Sequence, residues 1–437
     1  MHKQRAYFAT AKGQRHVWRQ RCRTEILLQL HIEPQGKATI TPEEKLRLQR
    51  ELSVQMAASG RRRAYTVPVA VQLDFAVTQN DPPAIHTLAK NYLDVLQKVE
   101  PSEAIGRRML LLKDDRQVQC LVCNYQLRPR NAEPGVQIRV ASMANLVADL
   151  ELYERVRRGN FSDTSGPNHS MSVRPRNRDD PEECEGRGGH AFEDLQQWVR
   201  DERQIVRNFG RKAFDAMRLM LQREAQGQLL RTWLLLPSHL QMLLSGDTRR
   251  RSRSPAKLCY ASMIQPLRNL LLRSPLSFAL APPPTREGEV ATFKQSVQKA
   301  LTKLKNQPLL HPLLTLVGIT ILYIPPRQGQ ELDLDNLARR VVPFFHDALK
   351  PPSDLVHTLA IDNIPDGESK IYFMSKRAEL SRLPKVHIAG YQVLRVPRTA
   401  NDPIEGDVRL LIHAAEPYTG VWDCVTRTLS EWAHDVE

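Results

Sequence analysis

The sequence predicts an α+β fold built from two tandem α/β domains of similar organisation. A strand-like apolar run, a short polar loop and a helix-like run follow one another in this order in both parts of the chain. A stretch rich in Gly, Pro, Ser and charge, 159–189, divides the chain and is typical of a disordered linker. We therefore expect a first domain at 1–155, a linker at 156–190, a helical and Arg/Ser-rich connector at 191–273, and a second domain at 274–437.

Composition points to a protein that binds polyanions. The chain has 437 residues, of which 41% are hydrophobic, enough for two or three domains with cores. Lys and Arg number 63 against 48 Asp and Glu, a net charge of +15, which favours nucleic acid as the partner. Positive charge is concentrated in residues 1–24 and in the "RRRSRS" segment, and each cluster can also be a solvated tail. The second cluster contains Arg249, Arg250, Arg251 and Arg253.

Cysteine content and hydropathy indicate a reducing, cytoplasmic and non-membrane setting. Six cysteines in a chain of this length do not form a disulfide framework. Cys120 and Cys123 are spaced like a metal knuckle, but they lie in a strand-like run where residues three apart face opposite sides. We interpret them as buried thiols. No apolar run reaches about 18 residues, so no membrane span is expected.

The first strand–loop–helix unit is "VPVAVQLDFAV" (67–77) followed by "DPPAIHTLAKNYLDVLQ" (81–97). In the second part, "LTLVGITILYI" (314–324) leads into "ELDLDNLARRVVPFFHDAL" (331–349). Between the two parts, apolar residues at helical intervals over 192–236 predict two helices.

A second pair of motifs supports a duplication. Tyr125-Gln126 is followed by Pro129-Arg130, and Tyr391-Gln392 is followed by Pro397-Arg398, each before an alternating strand. The two halves therefore read as copies of one domain with small insertions.

Asp333 and Asp335 are the first candidate site residues. If both lie in an extended segment, their carboxylates point the same way and suit Mg²⁺. The alternative is an ordinary helix start in which Asp335 or Asn336 is the N-cap.

These motifs resemble those of RusA-like crossover-junction endodeoxyribonucleases, the Holliday junction resolvases. "LDLDNLARRVVPFFHDAL" is similar to the family's Asp-x-Asp-Asn-Leu helix start. "LAKNYLDVL" and "LLLKDDRQVQCLVCNYQLRPR" resemble its lysine helix and its Asp-Asp-x-Gln-Val strand, and "LSFALAPPPTREGEVATFKQSVQKAL" its opening strand, proline loop and helix. The resemblance covers about 1–155 and 274–415.

The resemblance implies two RusA-like domains that form an intramolecular pseudo-dimer. It implies a nuclease that depends on Mg²⁺, or on Mn²⁺, and nicks branched DNA such as four-way junctions in recombination and repair. The chain would act as a monomeric pseudo-dimer or as a homodimer.

Carried over by residue, the family pattern is divided between the halves. Asp333, Asp335 and Asn336 match the loop of the second domain, and Arg339 stands where the family has a lysine. In the first domain those loop positions hold Ala84, His86 and Thr87, but the lysine is present as Lys90 and the later acidic pair as Asp114 and Asp115.

The third carboxylate of the second domain is open between several positions. One alignment selects Glu368, Asp354 and Asp366 are rivals, and an alignment through "KVHIAGYQVL" leaves no acid. The expected catalytic residues are Asp333, Asp335, Arg339 and Lys90. The expected metal ligands are Asp333, Asp335, Glu368, Asp354, Asp114 and Asp115. The expected DNA-binding residues are Lys90, Arg249, Arg250, Arg251, Arg253, Arg339 and Arg340.

We expect at most one working site per chain, built on Asp333 and Asp335, while the first half mainly holds DNA. His86 is read as a polar loop residue rather than a metal ligand. Pro343 is an anomaly, because a proline inside a helix removes a backbone hydrogen bond.

Two alternatives stand beside the nuclease. Since acids are missing from each half, the chain can be a degraded relative that binds branched DNA without cutting it. The basic surface can also serve RNA or a protein. No Gly-rich phosphate loop follows a strand, so no organic cofactor is expected.

Overall fold

The computed structural model describes most of the two predicted domains and part of the connector. The described residues are 7–36, 39–79, 81–101, 105, 108–159, 193–231, 277–282, 290–306, 311–329, 331–349, 387–399, 402–415 and 420–434.

These residues form an α+β fold, as predicted, around one open mixed sheet of eight strands. The two predicted apolar runs are interior strands of this sheet, each paired on both sides. The strands are β1 Ile26–Leu30, β2 Val69–Val77, β3 Val118–Leu127, β4 Gly135–Ser142, β5 Ser277–Leu280, β6 Val317–Ile324, β7 Ile388–Arg395 and β8 Asp407–Ala414.

Helices cover both faces of the sheet. They are α1 Ala11–Thr24, α2 Pro42–Ala58, α3 Ile85–Leu96, α4 Met143–Arg157, α5 Glu202–Phe209, α6 Arg211–Arg231, α7 Val290–Lys305, α8 Leu334–Leu349 and α9 Val421–His434.

Each half of the chain contributes four strands in the same order. The sheet runs β1-β4-β2-β3-β7-β6-β8-β5, so the second half, read from its outer edge, repeats the first. In each half the two innermost strands are parallel and the remaining pairs are antiparallel. The halves meet where β3 and β7 pair antiparallel.

The strand register fixes which residues of the two halves correspond. Val118 and Ile388 each pair with the first residue of their parallel neighbour, and their numbers differ by 270. The same spacing relates Val122 to Gln392, and these two residues face each other in the middle of the β3–β7 ladder. The β3–β7 ladder is therefore symmetric about this pair: equivalent positions of the two strands pair with each other in the same way on both sides of it.

This register corrects one of the motif correspondences. At a spacing of 270, Tyr125 corresponds to Arg395, while Tyr391 corresponds to Leu121. The two Tyr-Gln pairs thus lie at different points of β3 and β7. The two Tyr-Gln pairs match in the sequence because both strands are apolar with a polar end, but they do not occupy equivalent positions in the sheet.

Two cores result from the alternation of side chains along the strands. In β2, Val69, Val71 and Leu73 face a core shared with α2, α3, α7 and α8, whereas Ala70 faces a second core with α1, α4 and α9. Full burial of large side chains such as Phe345 and Trp422 stabilises the layers by about 1.5–3 kcal/mol per residue.

The described part of the basic N-terminal segment is packed and is not a free tail. Arg15 and Arg19 donate to the Trp432 and Ala433 carbonyls at 3.2 and 2.9 Å, and so cap the C-terminus of α9. Arg21 pairs with buried Asp149 on α4 at 2.6 Å. These contacts attach the first helix to both halves of the chain.

The middle region is helical, as predicted, but its described residues form three helical stretches where the periodicity predicts two. Residues 193–200 form one helical stretch, and α5 and α6 follow it with a break at Gly210, whose φ is 85°. Almost all of the predicted linker and the Arg249–Arg253 cluster lie outside the described residues. Within the described residues, no helix has the length and apolar content needed to cross a membrane.

Candidate metal centre

The second half supplies two aspartates at the start of α8. After β6, the loop is held by Tyr323, whose hydroxyl accepts from the Leu332 N–H at 3.2 Å. Glu331 in the same loop pairs with Arg395 of β7 at 2.8 Å. These contacts fix where the helix begins, at Leu334.

The predicted extended Asp-x-Asp arrangement is wrong in its backbone. Asp333 precedes α8, and its carbonyl accepts the Leu337 N–H at 3.0 Å, while Asp335 already lies in the first helical turn. Asn336 is also helical, and its amide donates to Asp333 Oδ2 at 3.2 Å. Neither alternative cap, Asp335 nor Asn336, precedes the helix. Only 2% of Asp335 is exposed, which an ordinary helix start does not require.

The first half supplies the acidic pair from a short 3-10 turn at Asp115–Gln117. Asp114 caps this turn and accepts from the Arg116 N–H at 2.9 Å. Gln117 closes it by accepting from the Lys113 N–H at 2.8 Å and donating to the Tyr65 carbonyl at 3.0 Å. The turn thereby holds both carboxylates at the start of β3.

The two halves bring these carboxylates together. Oxygens of Asp114, Asp115 and Asp333 all lie within 4.8 Å of one another. Oxygen-only ligands at this spacing suit a hard divalent cation such as Mg²⁺ or Mn²⁺. The halves that the sequence presents as two incomplete sites therefore form one composite cluster.

Lys90 of α3 spans the two sets of acids. Its Nζ lies 2.8 Å from Asp335 Oδ2, 3.2 Å from Asp94 Oδ1 and 3.4 Å from Asp115 Oδ2. Burial disfavours the charge on Lys90, but the hydrogen bond and charge of Asp335, with Asp94 and Asp115, raise its pKa overall. The lysine is therefore held in its ammonium form.

Several carboxylate oxygens in the cluster lack a donor. Apart from Lys90 at Asp335 Oδ2, no donor among the described residues forms a hydrogen bond with Asp335 or with Oδ1 of Asp333. Lys90 approaches Asp335 as an ion pair, and Arg116 Nε lies 3.8 Å from Asp333 Oδ1. Buried acceptors without donors are costly, so the arrangement fits a cation bound between the carboxylates.

The pKa shifts of the clustered carboxylates also indicate a functional site. Burial, then the Asp114 side chain and the charges of Asp333 and Asp335, raise the pKa of Asp115. Burial and Asp335 raise the pKa of Asp333. The hydrogen bond from the Arg116 backbone lowers the pKa of Asp114, which is more exposed. Crowded carboxylates with raised pKa values are typical of functional sites.

Arg339 and His86 do not lie where the sequence analysis placed them. Arg339 is exposed, and no ion pair among the described residues joins it to Asp333 or Asp335. His86 is not a loop residue, because α3 starts at Ile85 and includes it. Arg339 is instead one of the charges that act on His86.

The remaining predicted ligands lie outside the described residues. Glu368 and Asp354 belong to the segment 350–386. Asp366, the other rival for the third carboxylate, lies in the same segment.

Sequence reasoning missed Asp94 and Arg116. The spacing of Lys90 and Asp94 at i,i+4 on a helix is a signal for the first. Arg116 directly follows the acidic pair, but its approach to Asp333 depends on how the halves pack, which no local pattern gives.

The two strand cysteines are buried thiols, as predicted. Cys120 faces the core of α1, α4 and α9, and Cys123 the opposite core. Burial raises the pKa of Cys120 to about 12 and that of Cys123 further. They neither approach each other as ligands nor behave as reactive thiolates.

A polar cavity of about 370 Å³ lies on the other face of the sheet and was not predicted. Gln72 donates to Asp74 at 3.0–3.1 Å and to Asp423 at 2.9–3.0 Å, and Asn124 also donates to Asp74. Burial and the charge of Asp423 raise the pKa of Asp74 to about 6. The amides thus hold two carboxylates together away from the composite cluster.

Comparisons of the chain with protein-family models, curated proteins and solved structures return no match to any of them.

Proposed function

We propose that this chain is a divalent-metal-dependent endonuclease that nicks branched DNA such as Holliday junctions, with two RusA-like domains acting as an intramolecular pseudo-dimer. One observation carries the proposal: Asp114 and Asp115 from the first half meet Asp333 and Asp335 from the second, with Lys90 between them.

The chemistry follows from these side chains. A divalent cation held by Asp114, Asp115 and Asp333 would supply an activated water and stabilise charge on the attacked phosphate. Lys90 is a fixed positive charge that can neutralise charge developing in the transition state. Buried Asp335 orients Lys90 through their 2.8 Å contact.

The repeated topology supports the pseudo-dimer. The halves share strand order and strand direction, and β3 and β7 pair in the register of exchanged equivalents. A dimer of identical domains would join two sheets in this way. A site made from both halves is then the expected consequence of fusing two such subunits.

The composite cluster also favours cutting over binding alone. The alternative of a degraded module rests on acids missing from each half. Each half supplies what the other lacks: the acidic pair and lysine come from the first, and the Asp-x-Asp from the second.

DNA is the substrate class that the charge favours. The net charge is +15, and the side chain of Arg116 is 62% exposed beside the cluster. Exposed Arg339 lies one helical turn from Asp335. Arginines next to a metal cluster suit phosphate binding through their forked donors.

The test is cleavage of an end-labelled four-way DNA junction with Mg²⁺ or Mn²⁺, using the full chain and the Asp333→Asn, Asp335→Asn double variant. Wild type should nick near the branch only when metal is present, and the double variant should not. Glu43→Gln, an exposed change on α2, is the control. Equal competition by linear duplex or RNA would contradict the junction preference, and metal-independent or variant-insensitive nicking would contradict the site.

A further inference from the structure

We propose that the polar cavity beside β2 and β3 binds a free basic amino acid, with its guanidinium between Asp74 and Asp423 and its carboxylate on Arg427. The cavity lies on the face of the sheet opposite the composite cluster. Asn124, which lines it, stands six residues beyond Val118 at the start of β3, a distance of about 20 Å. The inference therefore goes beyond the proposed nuclease and does not depend on it.

The inner end of the cavity offers more hydrogen-bond acceptors than donors. It is formed by Gln72, Asp74, Asn124 and Asp423. The Gln72 amide nitrogen lies 2.9–3.1 Å from all four oxygens of the two carboxylates, but it has only two N–H groups. Asn124 also donates to Asp74, and Arg139 Nη1 lies 3.8 Å from Asp423 Oδ1, beyond hydrogen-bond distance. The two carboxylates therefore keep lone pairs for a ligand that is rich in donors.

The two amide side chains at this end each leave an oxygen without a donor. Gln72 is 3% exposed and Asn124 7%, and both line the cavity. Within the described part of the chain, Oε1 of Gln72 and Oδ1 of Asn124 accept no hydrogen bond. Buried acceptors of this kind are normally satisfied, by the protein or by a bound molecule. The amides thus indicate a missing donor independently of the acids.

The equivalent place in the second half is filled by apolar side chains. Asp74 pairs with Asn124 between β2 and β3, and the equivalent pair between β6 and β7 is Leu322 with Leu394. Both leucines are buried in the core that α1, α4 and α9 cover. The sheet can therefore be built with leucines here. Because a carboxylate and an amide are costly to bury, we assign the polar pair of the first half to ligand binding.

The outer end of the cavity carries positive charge. Arg427 is exposed and follows Asp423 by one turn of α9, about 5.4 Å along the helix axis. Arg128 is also exposed and lies just beyond β3. The ligand should therefore have a cationic head at the inner end and an anionic group that points outward. These arginines disfavour a polyamine, which is positive at both ends.

An amino acid with a guanidinium matches this arrangement. A guanidinium has five N–H donors and no acceptor, and it binds carboxylates through paired hydrogen bonds. The stem of arginine, about three methylene groups long, separates its two ends by a span comparable to the turn between Asp423 and Arg427. The cavity volume of about 370 Å³ lies at the lower end of the range of about 300–1,000 Å³ for small-molecule sites.

A bare metal ion matches the inner end less well. The carboxylate oxygens surround Gln72 Nε2 at 2.9–3.1 Å, which are distances of N–H donors. Mg²⁺ and Ca²⁺ hold their oxygen ligands at about 2.0–2.6 Å. The spacing of the carboxylates therefore suits a nitrogen group rather than a metal.

The first test compares ligands on the wild-type chain by calorimetric titration at about pH 7.5, where Asp74, with its pKa raised to about 6, is ionised. L-Arginine should bind. L-Citrulline, in which a neutral urea replaces the guanidinium, and agmatine, which lacks the carboxylate, should each bind more weakly by about tenfold or more. L-Arginine that does not bind, or that binds no better than L-citrulline, would overturn the site.

The second test changes the two ends of the cavity separately. Asp423→Asn should weaken L-arginine binding about tenfold and remove its advantage over L-citrulline. Arg427→Gln should reduce L-arginine to the level of agmatine without weakening agmatine. Asp81→Asn and Arg47→Gln, both exposed changes, are the matched controls and should bind as wild type does. An Arg427→Gln chain that still prefers L-arginine over agmatine would overturn the placement of the carboxylate.

A dipeptide that ends in arginine distinguishes a free amino acid from the C-terminus of another protein. Exposed Glu133 lies at the outer end of the cavity and can accept from the ammonium group of a free amino acid, which the dipeptide lacks at that position. The dipeptide should therefore bind more weakly than L-arginine, and equal binding would overturn the assignment to a free amino acid.

These titrations contain neither DNA nor a divalent metal. A chain that cuts no DNA contradicts the nuclease and leaves the arginine titration to decide this site. A chain that cuts DNA but does not bind L-arginine supports the nuclease and overturns this site.

Discussion

Lys90 of the first half and Asp335 of the second form an ion pair of 2.8 Å, in which the lysine side chain is 16% exposed and the aspartate side chain 2%. The pair connects the helices that carry the family-like motifs of the two halves. The two residues come from different halves of the chain, so the pair exists only because the halves share one sheet.

Breaking this pair should destabilise the chain unless both partners are changed. Lys90→Met leaves a buried carboxylate without its cation and should lower the free energy of unfolding by about 3 kcal/mol. Adding Asp335→Asn should restore part of that loss, because the stranded charge is removed. Chemical unfolding of the two single variants and the double variant measures the coupling, and strictly additive effects would contradict the pairing.

Metal binding should need residues from both halves. Asp115→Asn and Asp333→Asn each remove one carboxylate of the cluster, and each should weaken Mn²⁺ binding in calorimetric titration. Glu43→Gln should leave the titration unchanged. If Asp115→Asn binds Mn²⁺ as wild type does, the first half takes no part in the cluster.

Metal affinity should rise with pH in the weakly acidic range. Crowding and burial raise the pKa of Asp115 and Asp333, so both bind protons above the ordinary aspartate pKa near 4. A cation competes with those protons, and its affinity increases as the pH rises through the shifted pKa values. Proton release measured during Mn²⁺ titration in two buffers checks this, and binding independent of pH would count against the cluster.

Asp74 should make the chain less stable as the pH rises from 4 to above 6. Burial, and then Asp423, raise the pKa of Asp74 to about 6 in the folded chain. Folded chains therefore keep a proton that unfolded chains lose near pH 4, and stability falls through this window by at most about 3 kcal/mol. Asp74→Asn should remove that part of the pH dependence, and Asp81→Asn, an exposed change, should not. Thermal unfolding across this range measures both, and parallel curves for wild type and Asp74→Asn would contradict the shift.

The sequence predicts local elements well where hydrophobic periodicity is strong. The runs ending at Val77 and Ile324 are the interior strands β2 and β6, and the acidic motifs flank α8 and β3 as expected. Pro343 lies inside α8, which continues to Leu349. The backbone at Asp335 was predicted wrongly, because an Asp-x-Asp run reads equally well as a loop or as a first helical turn.

The composite site could not be predicted from local patterns. Nothing in the order of residues shows that β3 and β7 pair, and this pairing brings Asp115 to Asp333. Treating each half as its own domain made both sites look incomplete. The approach of Arg116 to Asp333 depends on the same packing of the halves.

The central claim is that one cutting site is made by both halves. The most direct measurement is single-turnover cleavage of an end-labelled four-way junction in Mg²⁺ by wild type, Asp115→Asn and Asp335→Asn, each saturating the DNA. We predict that wild type cuts and that both variants lose cutting to the same large extent while they still bind the junction. Cutting that survives in Asp115→Asn but is lost in Asp335→Asn would contradict a composite site and leave the second half to act alone.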